Sequence, residues 1–172
     1  EYAVFLAKHQ VRTNLYNISK SEYNPDNFKC NQYASLRRGP HLKVIGYSLY
    51  GKNRNYYDLL FNISKQIKIF YPDWLMRVYH NSHIDTSIIC QLECQTDEES
   101  NLIDNVDFCN VSDIQVHVNG KVLDPNDYVL PMAWRWFPIG DSFVDVFSSR
   151  DTDSFIFQRE VDSVRVWLES NM

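Results

Sequence analysis

Leu42-Lys43-Val44-Ile45-Gly46-Tyr47-Ser48-Leu49 is an apolar, β-branched run ended by Gly51, and it reads as a strand. The pattern changes period directly after it. From Tyr56 to Phe70 the apolar residues Leu60, Ile63, Ile67 and Phe70 recur at helical spacing, and Pro72 stops the helix. Leu75 to His80 reads as a second strand. Strand, helix and strand in this order predict a crossover unit, which places the two strands parallel in one sheet.

The rest of the chain extends the same alternation. Asp85 to Gln95 reads as a short helix capped by Asp85, and Val106 to Val111 as a third strand. Ile114, Val116 and Val118 alternate with polar residues before Asn119-Gly120, a hairpin signal. Pro131 to Pro138 is aromatic and irregular, with room for one short helical turn. Phe143 to Ser148 is a further strand. Phe155 to Leu168 predicts a last helix that presents Phe157, Val161, Val164 and Leu168 on one face, with Asp153 or Ser154 as its cap. Towards the N-terminus, Val4 to Val11 reads as a short helix or strand, Asn24-Pro25-Asp26-Asn27 as a turn, and Arg37-Arg38-Gly39-Pro40 as the end of a leader. The expected fold is α/β: a Rossmann-like layered domain with a mainly parallel central sheet flanked by helices. Residues 1–40 are expected to be a polar and aromatic extension that packs on a domain formed by residues 41–172.

In such sheets ligands sit beyond the carboxyl ends of the strands. Ser48 and His80 fall at such ends, as do Asp151 and Asp153 after the strand that begins at Phe143. Carboxylates two apart beyond a strand end suit one hard divalent cation, which takes oxygen ligands. That cation would neutralise a diphosphate. The plainer alternative is a pair of turn and helix-cap carboxylates. His80 and His83 have no carboxylate companion and read as polar loop residues rather than as metal ligands. Among Trp134, Trp136 and Phe137, stacking on a ligand competes with membership of an aromatic core cluster. The run Asp97-Glu98-Glu99 is a solvated loop.

Composition narrows the function. The chain has 172 residues, 44% hydrophobic and 15% aromatic, enough to bury a core. A net charge of −5 argues against a general nucleic-acid binder. No run of eighteen apolar residues is present to span a membrane. There is no glycine-rich phosphate loop and no Gly-x-Ser-x-Gly elbow. An aspartyl-phosphatase reading of Asp-x-Asp-Ser fails because that motif belongs after a first strand, whereas here it lies at the far end. The chain begins at Glu1 rather than Met, which suggests a processed or trimmed product.

Three Asn-x-Ser sequons begin at Asn17, Asn62 and Asn110, and Asn62 falls on the polar side of the helix predicted around it. The four cysteines, Cys30, Cys90, Cys94 and Cys109, allow three pairings, and their spacing is not that of a zinc site. Four buried thiols are the alternative. Sequons and cysteines together favour a secretory lumen, ER or Golgi, or an extracellular setting. The preferred bridge is Cys94–Cys109, which would close the acidic loop.

Several stretches in order resemble the metal-dependent nucleotide-sugar glycosyltransferases of the GT-A fold. They are Ile45-Gly46-Tyr47-Ser48-Leu49-Tyr50-Gly51, then Tyr71-Pro72-Asp73-Trp74 with Arg77-Val78-Tyr79-His80, then Trp134-Arg135-Trp136-Phe137-Pro138 with Asp141. The strongest is Ser149-Arg150-Asp151-Thr152-Asp153-Ser154, followed by Arg159-Glu160 and Trp167. Together they extend over about residues 43 to 169. The resemblance implies that residues 41–172 bind a UDP- or GDP-sugar with Mn2+ or Mg2+ for transfer to a glycan or protein acceptor.

On that resemblance Asp151 and Asp153 match the family's Asp-x-Asp. Asp153 would bind the metal that bridges the phosphates, and Asp151 the ribose or the metal's water shell. Ser48 and Tyr50 would lie near the nucleoside. Arg54 and Arg135 would contact phosphate or sugar, and Arg150 would contact the sugar or order its loop. Family members continue into a second half that binds the acceptor and supplies the base of inverting enzymes. The chain ends at Met172, soon after Asp153, so a fragment, a donor-binding protein or a site completed by another chain is expected, and no general base is assigned. Two rival functions remain from the sequence: a non-catalytic module of this fold that binds a glycan or partner, and an extracellular domain in which Asp151 and Asp153 hold a structural Ca2+.

Overall fold

Leu42–Leu49 forms strand β1, at the bounds its apolar pattern predicts. The computed structural model describes residues 29–30, 32–97 and 99–170. The expected element at 4–11, the turn at 24–27 and the sequon at Asn17 lie outside them. After helix α1 (Gln32–Arg38) and β1 come helix α2 (Arg54–Phe70), strand β2 (Trp74–His80), helix α3 (Thr86–Glu93) and strand β3 (Val106–Asn110). A small hairpin of β4 (Val116–Val118) and β5 (Lys121–Leu123) follows, then the single-turn helix α4 (Pro125–Tyr128). The chain then makes a ten-residue 3-10 segment (Pro131–Gly140), strand β6 (Val144–Ser149) and helix α5 (Gln158–Glu169).

The main sheet has the order β3-β2-β1-β6, and every neighbouring pair is parallel. This is the predicted layered α/β architecture with a parallel central sheet. Chain order runs outward from β1 through β2 to β3, then returns to the opposite side of β1 with β6. The direction of winding therefore switches between β1 and β6, where an open sheet leaves a crevice beyond its carboxyl ends.

The two faces of the sheet are covered differently. Ile45, Tyr47 and Leu49 of β1, with Met76, Val78, Val106 and Phe108, meet Leu60, Ile63 and Ile67 of α2 and Ile88 and Leu92 of α3. Asn53 and Asp85 cap these helices by accepting the main-chain N–H groups of Asn55 and Ser87 at 3.1 and 3.0 Å. The opposite face carries Gly46, Ser48, Arg77, Tyr79, Asp107 and Cys109, which alternate with the first set along their strands. Among the described residues it is covered by Lys29, Cys30, α1 and the 131–140 segment, with Cys30, Ala34, Cys109, Ile114 and Trp134 in a second core. The β4–β5 turn has positive φ at both Asn119 (52°) and Gly120 (75°), as a two-residue turn between twisted strands requires.

Charge is buried under this cover. Arg77 and Asp141 have fully buried side chains and pair at 2.6 Å, and the Asp141 carboxylate also accepts the Lys29 main-chain N–H at 3.1 Å. Asp107, also buried, pairs with Arg37 and, at 2.9 Å, with Arg38. Burial pushes the Asp107 carboxyl up, but Arg38, Arg37 and Arg77 outweigh it and hold the group below the usual carboxylate range.

Three local expectations are corrected. The disulfide joins Cys30 to Cys109 rather than Cys94 to Cys109. Cys109 points to the face covered by Cys30 and α1, whereas Cys94 ends α3 on the other side of the sheet. The Cys94 Sγ lies 3.8 Å from the Cys90 Sγ. The last helix begins at Gln158 and has no side-chain cap at Phe157, so neither Asp153 nor Ser154 caps it. The Arg150 guanidinium binds the carbonyls of Ser154 and Phe155 at 3.2 and 2.7 Å and holds that stretch out of the helix. Its apolar stripe shifts accordingly: Val161, Val164 and Leu168 pack on the core, Ile156 is buried, and Phe157 is exposed.

Two outcomes follow. Peptide mapping without reductant joins Cys30 to Cys109, and reduction lowers stability by about 4 kcal/mol, as expected for so long a loop; a Cys94–Cys109 peptide contradicts the fold. Because the Asp107 carboxyl is held below its unfolded value, its contribution is complete above about pH 4 and lost as pH falls through the folded value. Asp107→Asn should cost about 3 kcal/mol at neutral pH and flatten the acid arm of a denaturation series; an unchanged acid arm contradicts the pairing.

Candidate functional site

Gly46 lies in the middle of β1, where the 131–140 segment crosses the sheet. A Cβ added there would stand 2.2 Å from the Arg135 carbonyl oxygen and 3.3 Å from the Phe147 ring. Only glycine admits that approach. The consequence appears two residues along the strand, on the same face, where the Arg135 N–H donates to Ser48 Oγ at 2.9 Å. On the other side of β1, the Arg150 N–H donates to the Gly46 carbonyl at 3.1 Å and ends the β6 pairing. Residues 151–153 then leave the sheet at the switch between β1 and β6.

These contacts enclose a cleft of about 300 Å³ lined by Ser48, Leu49, Tyr50, Tyr56, Met132, Arg135, Asp151, Thr152 and Asp153. Thr152 is buried between two exposed carboxylates, so the turn is anchored at its centre and presents both acids outward. The Arg135 guanidinium pairs with Asp151. Tyr50 stands edge-on to buried Trp134 at 6.2 Å, which supports it from below.

The fold therefore brings Ser48, Tyr50, Arg135, Asp151 and Asp153 together. It does not bring Arg54 or Arg150 to them. Arg54 faces a separate hollow of about 240 Å³ with Lys52, Tyr57, His83 and Asp85, across the first turn of α2. Arg150 turns inward to Glu160 and the carbonyls of Ser154 and Phe155, so it orders the loop from beneath. His80 is buried, with Nδ1 2.8 Å from the Asn81 carbonyl oxygen, and burial pushes its pKa down. His83 belongs to the α2 hollow. Trp134 and Phe137 serve the core, Phe137 against Tyr79 at 5.6 Å, while Trp136 is half exposed against Phe147.

Sequence reasoning misses Tyr56, Met132 and Thr152. For Tyr56 a signal exists: helical period turns its neighbour Tyr57 to the core and leaves Tyr56 beside the end of β1. Of the sequons within the described residues, Asn62 is exposed on α2, while Asn110 is half-buried and accepts the Ser112 N–H at 3.2 Å.

No group of three or more His, Cys, Asp or Glu side chains is gathered for a metal ion among the described residues. Asp151 and Asp153 are the kind of donor set that Mg2+-like ions use when a substrate phosphate and water complete the shell. No helix among the described residues is long and apolar enough to cross a membrane. The chain matches no protein-family model, no curated protein and no solved structure.

Gly46→Ala tests how the cleft is built. The added methyl meets the Arg135 main chain on one side and the Phe147 ring on the other, and no rotamer change relieves the main-chain contact. A loss of about 3 kcal/mol is expected in chemical denaturation. An unchanged midpoint would mean that the 131–140 segment is not seated on β1 in this way.

Proposed function

We propose that this chain is a donor-binding unit of a metal-dependent glycosyltransferase, holding a UDP- or GDP-sugar at the carboxyl ends of β1 and β6. The observation that carries the proposal is the cleft at the β1–β6 switch, where two outward carboxylates, a guanidinium and two aromatic rings converge. Open parallel sheets bind nucleotides at such points. The ordered motifs that resemble GT-A enzymes meet in the same place, since Ser48, Arg135 and Asp151 come from three of them.

Asp153, exposed and on the anchored turn, would hold Mn2+ or Mg2+ together with Asp151. When bound, the cation supplies charge stabilisation to the departing diphosphate. Ser48 and Tyr50 form the wall next to the nucleoside, and Tyr56 offers a second ring across the cleft. Arg135 supplies the guanidinium for the phosphate oxygens, to which it is suited by its planar set of donors. Arg150 supports the turn rather than the ligand. The acceptor is a glycan or protein. The Cys30–Cys109 disulfide and the exposed sequon at Asn62 support a secretory compartment, ER or Golgi, or an extracellular one.

Calorimetry with UDP- and GDP-sugars, with and without Mn2+, tests the proposal. At least one donor should bind only in the presence of the metal. Asp153→Asn should weaken that binding at least tenfold without lowering the melting temperature. Binding that ignores the metal, or none to any donor, contradicts the proposal.

A further inference from the structure

Arg135 is fixed through its main chain and not through its side chain. Its N–H is held by Ser48 Oγ and its carbonyl is pressed against Gly46. The guanidinium reaches over the cleft to Asp151, and its Nε has no hydrogen-bond partner among the described residues. The Asp151 side chain is 64% exposed, so this ion pair is easily exchanged. Arg150, the other arginine of the loop, is committed to Glu160 and two carbonyls. Among the described residues that line the cleft, Arg135 is the one cationic side chain and faces two carboxylates.

The charges make each half of the ligand a poor guest alone. A free divalent cation finds Asp151 already paired and meets the guanidinium's repulsion. A free diphosphate meets one more negative charge than positive. The cation and diphosphate together are close to neutral. They offer both carboxylates a metal and the guanidinium a new set of oxygens, so no charge is left without a partner.

We propose that Arg135 occupies Asp151 in the empty cleft and transfers to the donor's diphosphate on loading, so that divalent cation and nucleotide bind jointly and each alone binds poorly. This rests on the donor-binding function proposed above and adds to it the coupling between the two ligands and the residue responsible. The coupling is reciprocal: whatever factor the nucleotide adds to metal affinity, the metal adds to nucleotide affinity. Arg135 acts here as both positioning group and phosphate contact.

The test uses the full chain with Mn2+ alone, UDP alone and the two together. Bound Mn2+ is read by electron paramagnetic resonance and nucleotide by calorimetry, for wild type, Arg135→Gln and Arg135→Lys. Wild type should bind UDP with Mn2+ at least tenfold more tightly than UDP alone. Arg135→Gln should bind Mn2+ alone roughly two- to fivefold more tightly, because Asp151 is released. The same variant should bind UDP with Mn2+ at least tenfold more weakly, because a charged contact to phosphate is lost. Arg135→Lys should restore part of both effects. The opposite signs separate this role from a structural one, since a misfolded cleft would lose both ligands. If wild type binds UDP with Mn2+ but Arg135→Gln leaves affinity for Mn2+ alone unchanged or weaker, the exchange is overturned and the donor-binding function stands. If wild type binds neither UDP nor GDP with Mn2+, the donor-binding function is overturned and the joint loading with it.

Discussion

The contact on which the site depends is the approach of the Arg135 carbonyl to the backbone of β1 at Gly46. A side chain at that position would stand 2.2 Å from the carbonyl oxygen, so its absence lets an irregular segment lie directly on a parallel sheet. Everything in the cleft is referenced to that seat. It puts the Arg135 N–H on Ser48, the Arg135 guanidinium over Asp151, and Trp134 beneath Tyr50. The Gly46 carbonyl also receives the Arg150 N–H, where β6 gives way to the Asp151–Asp153 turn. One residue without a side chain thereby sets the spacing between both walls of the pocket.

Among the described residues the sheet separates two apolar clusters, one under α2 and α3 and one under α1 and the 131–140 segment, and the division explains several features at once. The side under α2 and α3 is an ordinary apolar layer. Among the described residues the other side has a smaller apolar cluster, and it is tied also by a disulfide and two buried ionic contacts. Buried ion pairs are modest sources of net stability, but breaking one leaves a charge without water or partner. They therefore fix position. Arg77 holds Asp141 just after the 131–140 segment, and Asp107 holds α1 through Arg37 and Arg38. The cleft opens where the irregular cover meets the strand ends, so the segment that shapes the site is also the one these contacts keep in register.

Much of this was legible in the sequence because local period and local geometry decide it. The apolar run of β1, the helical spacing of α2 and the cap Asp85 involve residues within a turn of each other. The placement of Asp151 and Asp153 beyond a strand end follows from the same kind of local pattern. What the sequence hid depends on contacts between distant segments. Cys109 pairs with Cys30 because of the sheet face on which each lies, and spacing along the chain does not encode faces. Arg150 and Arg135 are both arginines near the motif, yet one turns beneath the loop and the other over the cleft. The late start of α5 follows from that inward turn, since Arg150 takes the carbonyls of Ser154 and Phe155. A glycine inside a strand is a signal that could have marked Gly46 as a point of close backbone approach, but what approaches it lies far along the chain.

In the proposed function the cleft between the ends of β1 and β6 holds a divalent cation and a nucleoside diphosphate together. The most direct measurement is a crystal structure of the chain grown with UDP or GDP and Mn2+, with data collected to reveal the manganese by anomalous scattering. The manganese peak should lie within coordination distance of Asp153 and of the diphosphate, with the Arg135 guanidinium on phosphate oxygens. Manganese bound elsewhere, or a nucleotide seated outside this cleft, would contradict it.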